Sequence, residues 1–211
     1  GDVFVGRTGS GQLKIGGLVP EENILVLPPV SGIFNGWSDV EPGFDHLIAD
    51  EPQNDFFVLQ SGVQVRIEVV QVDAAFQAIS PGFVIIDDPG ERFLLGNQSL
   101  HIHPNWLINS DHPMFNPLKT LWRATFKLVD TGSTSYAASA PFTFYFANVA
   151  CLRGDCNGDT LVDGRDIAAF TSIILNPGSK TDVERCTADV NQDGLATVDD
   201  VADFVNAMVS A

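Results

Sequence analysis

Basic side chains are scarce: Lys and Arg supply 11 of the 211 residues against 27 Asp and Glu, for a formal net charge of −16. Nucleic acid binding needs clustered cations to neutralise phosphates, so nucleic acid is excluded as a partner and divalent cations are expected instead. Long apolar runs are missing too. The longest, such as residues 24–27 and 83–86, are strand-sized and far short of the roughly 18 residues that cross a bilayer, so no membrane span is expected. Cysteine is absent from the first 150 residues, and Cys151, Cys156 and Cys186 all fall in the last third. In a secreted protein this odd count implies one bridge and one leftover thiol, whereas in the cytosol the three would be reduced or bind metal; the oxidised reading is preferred. Catalytic signatures are also lacking. No G-x-S-x-G elbow or H-E-x-x-H helix occurs, and Gly9-Ser10-Gly11 has neither the lysine nor the helix of a P-loop. The chain starts at Gly1 without an initiator methionine or leader, as a processed or trimmed form would.

What is present over residues 1–150 is period-2 patterning. Val63, Val65, Ile67 and Val69 alternate with polar residues, as do Trp122, Ala124, Phe126 and Leu128, which predicts half-buried strands. Further strands are expected at 3–5, 12–15, 24–27, 56–59, 83–86, 92–95, 100–103 and 142–149, separated by turn signals such as Pro42-Gly43, Pro81-Gly82 and Pro89-Gly90. The expectation is a mainly β, antiparallel β-sandwich of jelly-roll type over 1–150, followed by a small helical domain over 151–211. Residues 2–5 pair either with their own sheet or with a neighbour's edge, and the second arrangement would join copies head to tail.

Within 1–150 the candidate ligands are few. His101 and His103 share a strand face, with Asp111 and His112 following a turn and His46 far away in sequence. Such a set suits zinc or copper, against the plainer reading of a polar strand end. Trp37 and Trp106 are candidates for stacking on sugars, whereas Trp122 fits the core. Asn97-Gln98-Ser99 is a glycosylation sequon, and residues 131–135 offer hydroxyls for O-linked glycans.

The last third contains a repeat. A shift of 34 residues lays 155–166 over 189–200, and Asp or Asn recurs at positions 1, 3, 5 and 12 of each stretch. A twelve-residue loop with oxygen ligands at 1, 3, 5, 7, 9 and 12 is what a hard cation such as calcium requires. The first set would be Asp155, Asn157, Asp159, the Leu161 carbonyl, Asp163 and Asp166; the second Asp189, Asn191, Asp193, the Leu195 carbonyl, Thr197 and Asp200. Position 6, normally Gly for its sharp turn, is Gly194 in the second loop and Thr160 in the first. Ile167, Phe170 and Ile174, and then Val201, Phe204 and Met208, predict one amphipathic helix after each loop; no helix is expected before either. Clustered carboxylates repel without metal, so folding and binding of two calcium ions should be coupled.

Through Gly154-Asp155-Cys156-Asn157-Gly158-Asp159 and the later Cys186-x-Ala188-Asp189-x-Asn191-x-Asp193-Gly194, residues 151–211 resemble type I dockerins, in particular the dockerin-like tails of secreted planctomycete-type bacterial proteins. Aspartate at position 12 is a habit of that family. The resemblance implies a disulfide between Cys156 and Cys186, with Cys151 free or paired outside the chain. It also implies cohesin-type partners, recognised through loop positions 10 and 11, usually Ser and Thr. Here those positions hold Gly164 and Arg165, then Val198 and Asp199. The tail would then either recognise a partner or clip, locked by calcium, against its own N-terminal domain or a neighbouring subunit.

The expected function is that of a secreted, non-enzymatic, calcium-binding structural or adhesive protein that assembles with copies of itself, as in an extracellular fibre or surface layer. The alternatives are a carbohydrate-binding module with a cohesin-docking tail, and a metal enzyme built on His101, His103 and His112.

Overall fold

A computed structural model describes residues 1–17 and 23–210; residues 18–22 and Ala211, the last residue of the expected tail domain, lie outside the described residues. The chain runs through β1 (Val3–Arg7), β2 (Leu13–Gly17), β3 (Ile24–Val26), β4 (Pro29–Val30), β5 (Gly36–Asp39), β6 (Phe44–His46) and β7 (Val65–Val72). It continues with β8 (Phe76–Ile79), β9 (Ile85–Ile86), β10 (Arg92–Gly96), β11 (His101–Ile102), β12 (Asn105–Asn109), β13 (Leu121–Asp130) and β14 (Phe142–Ala147). Three α-helices follow among the described residues: α1 (Ile167–Leu175), α2 (Asp182–Ala188) and α3 (Val201–Ser210).

The fold is mainly β, with its helices confined to the C-terminal segment. Among the described residues three sheets form, in the orders β11-β6-β1-β2, β10-β7-β13-β14-β3 and β4-β5-β12-β8-β9. Most neighbours are antiparallel, but β1 pairs with β6 and β14 with β3 in parallel. A parallel pair needs a long connection. Here the connections, among the described residues, carry further strands and no α-helix, so they leave no crossover-helix signature in the sequence. Of the expected strands, 56–59 makes only isolated bridges, Arg7 to Phe57 and Glu51 to Phe56, and 83–86 shrinks to the two residues of β9.

Alternation drives the central sheet. In β14, Phe142, Phe144 and Phe146 are buried while Thr143 and Tyr145 are half-buried on the other face. These rings surround Trp106, whose ring lies 5.4 Å from both Phe144 and Phe146 and 5.8 Å from Phe126, centroid to centroid. One large core therefore unites the β-sheets. A second, smaller core of Phe170, Ile173, Ala188, Ala196 and Phe204 lies between the helices. The ends of β13 and β14 face this helical region, since β14 leads through Asn148 toward Cys151 and Thr120 precedes β13.

Candidate metal centre in the duplicated loops

The two loops repeat one another in most of their side-chain to backbone bonds and differ at position 1. Both oxygens of the position-12 carboxylate reach back across the ring. Asp166 accepts from the backbone N–H of Asn157 at 2.9 Å and of Asp163 at 2.9 Å; Asp200 accepts from Asn191 at 3.0 Å and Thr197 at 2.8 Å. Asn157 and Asn191 each accept from the N–H two residues on, at 2.8 and 2.9 Å, and so do Asp159 and Asp193, at 3.0 and 2.9 Å. At position 1, Asp155 accepts from Gly158, Asp159 and Thr160, while Asp189 holds the Gly194 N–H between its two oxygens at 3.2 Å. Short polar side chains that bond the backbone just ahead of them are what folds such a loop. Side chains at position 9 turn to position 11: Asp163 accepts from the Arg165 N–H and Thr197 from the Asp199 N–H.

The tight curvature demands a left-handed backbone at positions 4 and 6 of both loops. Gly158 (φ 78) and Thr160 (φ 71) serve in the first; Gln192 (φ 60) and Gly194 (φ 97) serve in the second. Each loop thus has glycine at one of the two positions, and not the same one. After the loops, Phe170 of α1 and Phe204 of α3, themselves 34 residues apart, stack with centroids 4.0 Å apart and planes 6° from parallel. The sequence repeat is therefore also a packing repeat. The buried face is rotated slightly from the expected one, for Ile173 is buried while Ile167 and Val201 are exposed.

Four carboxylates, Asp155, Asp166, Asp189 and Asp200, are at most 6% exposed. Among the described residues, only Asp189 of the four has a cationic neighbour, Arg153 at 3.6 Å. Burial pushes the Asp189 carboxyl up to about 6, against the pull of Arg153 and the Gly194 N–H, and burial likewise raises Asp200. Buried carboxylates without matching positive charge are costly, so the donor set fits a hard divalent cation. Residues 153–207 match the family model of the dockerin type I domain. Dockerin domains of this type bind calcium and mediate protein–protein docking with cohesins. No curated protein and no solved structure matches the chain.

Two expectations for the dockerin segment need correction. A helix does precede the second loop: α2 ends at Ala188, immediately before Asp189. It is started by a capping box, in which the Thr181 hydroxyl accepts from the Glu184 N–H and the Glu184 carboxylate accepts from the Thr181 N–H. At seven residues it is too short to show apolar periodicity, although Thr181-x-x-Glu184 was its visible signal. The disulfide joins Cys151, not Cys156, to Cys186. Cys156 sits at loop position 2 with its side chain against the helical core, and its thiol is free. Cys151 lies on the approach to the first loop, which is laid along α2 by the Gly154 N–H to the Thr187 carbonyl (2.7 Å) and by Arg153 Nε to the Asp189 carbonyl (2.8 Å). Burial first, and then the carboxylates of Asp166, Asp155 and Asp200, push the Cys156 thiol up to about 11. Ellman titration should therefore find no reactive thiol in the native protein at neutral pH and one in denaturant without reductant. Three in denaturant would contradict the bridge.

The dockerin segment is also bonded to the β-sheets. The Thr120 N–H donates to the Gly194 carbonyl at 2.9 Å, Arg185 donates to the Pro117 carbonyl at 3.2 Å, and Asn148 donates to Asp182 at 3.1 Å. Arg185 is buried and also bonds Asp182 and the carbonyls of Lys180 and Pro177, so it fastens the 177–185 turn to the β-layer.

The remaining candidates in 1–150 are rearranged. Trp106 is fully buried, its Nε1 donating to the Pro42 carbonyl at 3.0 Å, and Trp37 is half-buried against Phe115. The expected sugar platform therefore loses Trp106. His112 accepts from the Met114 N–H and stands apart from the ligand cluster that contains His101 and His103. The three-histidine centre does not form.

The raised Asp189 carboxyl sets a pH response. Its folded value lies above the ordinary 3.8, so this group's contribution to the stability of the metal-free fold falls as pH rises between 3.8 and about 6, and holds the lower level above that. Calcium needs the ionised form. Calorimetric titration should show affinity falling by up to about tenfold per pH unit below about pH 6 for each proton displaced. An affinity that stays flat between about pH 7 and about pH 5 would contradict it.

Proposed function

We propose that the chain is a secreted, non-enzymatic, calcium-binding structural or adhesive protein whose copies assemble through protein–protein contacts, as subunits of an extracellular fibre or surface layer. Its domains are a β-sheet domain over 1–150 and a dockerin-like domain over 151–211. Two calcium ions bind, one in each loop, held by Asp155, Asn157, Asp159, the Leu161 carbonyl, Asp163 and Asp166, and by Asp189, Asn191, Asp193, the Leu195 carbonyl, Thr197 and Asp200. Calcium supplies positive charge to four buried carboxylates; the residues themselves set the loop curvature and start the helices.

The observation that carries this reading is the orientation of the tail. Its second loop and α2 are bonded to the β-sheets, while α3 turns Val201, Val205 and Val209 outward in a row that Val198 extends. A row of exposed apolar side chains at helical spacing favours a protein partner. The residues at positions 10 and 11 depart from the Ser and Thr of cohesin-binding repeats, which favours a second copy over a cohesin. The bridge between Cys151 and Cys186 suits an oxidising, extracellular setting, and among the described residues no helix is long and apolar enough to cross a membrane. Negative-stain microscopy of concentrated protein in calcium should show ordered assemblies that disperse with a chelator or with Val205→Asp. Monodisperse monomers in calcium would overturn self-assembly, and stoichiometric capture by a cohesin would replace it with the docking reading.

A further inference from the structure

Away from the duplicated loops, ligand atoms of Asp2, His101 and His103 lie within 4.8 Å of one another. The sheet order explains why. β6 lies between β1 and β11, and both Val3 and Ile102 stand opposite Phe44. Asp2 and His103, one residue further along, therefore flank Gly43, whose carbonyl accepts from the Val3 N–H at 2.9 Å. Glycine at that point leaves a gap that the His103 ring fills: a Cβ on Gly43 would meet the ring at 2.6 Å. The ring thereby spans the middle strand, and its Nε2 comes to 3.9 Å from the Asp2 carboxylate.

The second nitrogen of each ring is already engaged. His103 Nδ1 faces the Glu41 carboxylate at 3.2 Å and the Val40 carbonyl at 3.3 Å, and His101 Nδ1 faces the Asp45 carboxylate at 3.4 Å. A histidine whose Nδ1–H donates to a carboxylate or carbonyl presents the Nε2 lone pair, the outer-shell arrangement that orients metal-bound imidazoles. Asp45 is held in turn, since its other oxygen bonds the His46 ring at 2.9 Å. Two imidazoles with fixed rings, one carboxylate and nearby acids that keep the potential negative form a built donor set of mixed nitrogen and oxygen. Such a set selects a late first-row dication over calcium, which takes oxygen alone.

We propose that Asp2, His101 and His103 bind one zinc-class dication per chain, with Asp45 and Glu41 orienting the two rings and a coordination position open to solvent or to a ligand from a neighbouring molecule. The ion joins the residue before β1 to the first residue of β11 and the residue that follows it, and so fastens the start of β1 to the edge strand β11 across β6. Neither the dockerin loops nor the assembly reading is needed for it.

The test is Co²⁺ titration of the full, tag-free chain in saturating calcium, followed by visible absorption, with Zn²⁺ as the competing ion. The wild type should take up one Co²⁺ with the intense bands of a tetrahedral site, bleached by one equivalent of Zn²⁺. His101→Gln, whose side chain is largely exposed, and Asp2→Asn should lose the bands, and Asp45→Asn should weaken binding about 10- to 100-fold. Absence of intensified bands in the wild type would overturn the site, as would equal Co²⁺ uptake by wild type and His101→Gln. Calcium stoichiometry measured in parallel separates this outcome from any failure of the dockerin loops.

Discussion

Replacing Asp189 by Ala should lower the calcium stoichiometry of the chain by one and destabilise it by at least about 3 kcal/mol in calcium, because a buried ligand is lost and the Gly194 N–H is left without its acceptor. Asp155→Ala should remove the other ion. It strips the acceptor from the Gly158 and Thr160 N–H groups and removes one of the two acceptors of the Asp159 N–H, which keeps Asn157, so the first turn of that loop opens. The two variants should differ in reach. Asp189 is adjacent to α2 and shapes the loop whose Gly194 carbonyl bonds Thr120, so its loss should loosen the tail from the β-sheets. The first loop lacks that connection among the described contacts, and Asp155→Ala should act locally. Isothermal titration reads the stoichiometry and amide exchange at Thr120 reads the junction. Unchanged stoichiometry in either variant would remove that loop from the account.

Gly194→Ala should be as damaging without touching a ligand. The residue sits at φ 97, a conformation that costs an L side chain roughly 1 to 2 kcal/mol. A methyl group there would also press on the Leu121 carbonyl oxygen and come within 3.0 Å of the Lys119 side chain. Backbone at the start of β13 cannot yield without breaking the bond from Thr120, so the combined cost should be about 2 to 4 kcal/mol. Gly158→Ala is the matched control. It has the same left-handed backbone, at φ 78, but open space around it, and should lose only the conformational part, about 1 kcal/mol. Equal denaturation midpoints for the two variants would show that loop two does not press on the β-layer.

The dockerin repeat was legible because everything that shapes it is local. Carboxylates and amides at fixed offsets bond the backbone two to nine residues away, all within one twelve-residue stretch, so spacing alone describes the loop. Phe170 and Phe204 announce their pairing by the same 34-residue offset. Chain-distant choices were not legible. Which of Cys151 and Cys156 meets Cys186 depends on how the approach strand lies along α2, and a resemblance carried the wrong partner. The third sheet was largely missed for a different reason. β8 and β12 are covered on both faces, so Phe76–Ile79 is buried throughout and Trp106, Leu107 and Ile108 are buried in a row; neither shows alternation. For the same reason Trp106, read as a surface ring, is the centre of the core. Nor could the sequence place Asp2 beside His101 and His103. That neighbourhood comes from the parallel pairing of β1 with β6, which links segments far apart in the chain.

Elemental analysis of the native protein, purified without chelator and exchanged into metal-free buffer, tests the central claim most directly. Two calcium ions per chain are expected, both released by exhaustive EDTA dialysis together with a loss of order in the C-terminal helices. A chain that carries no alkaline-earth ion, and whose helices are equally ordered before and after dialysis, would contradict it.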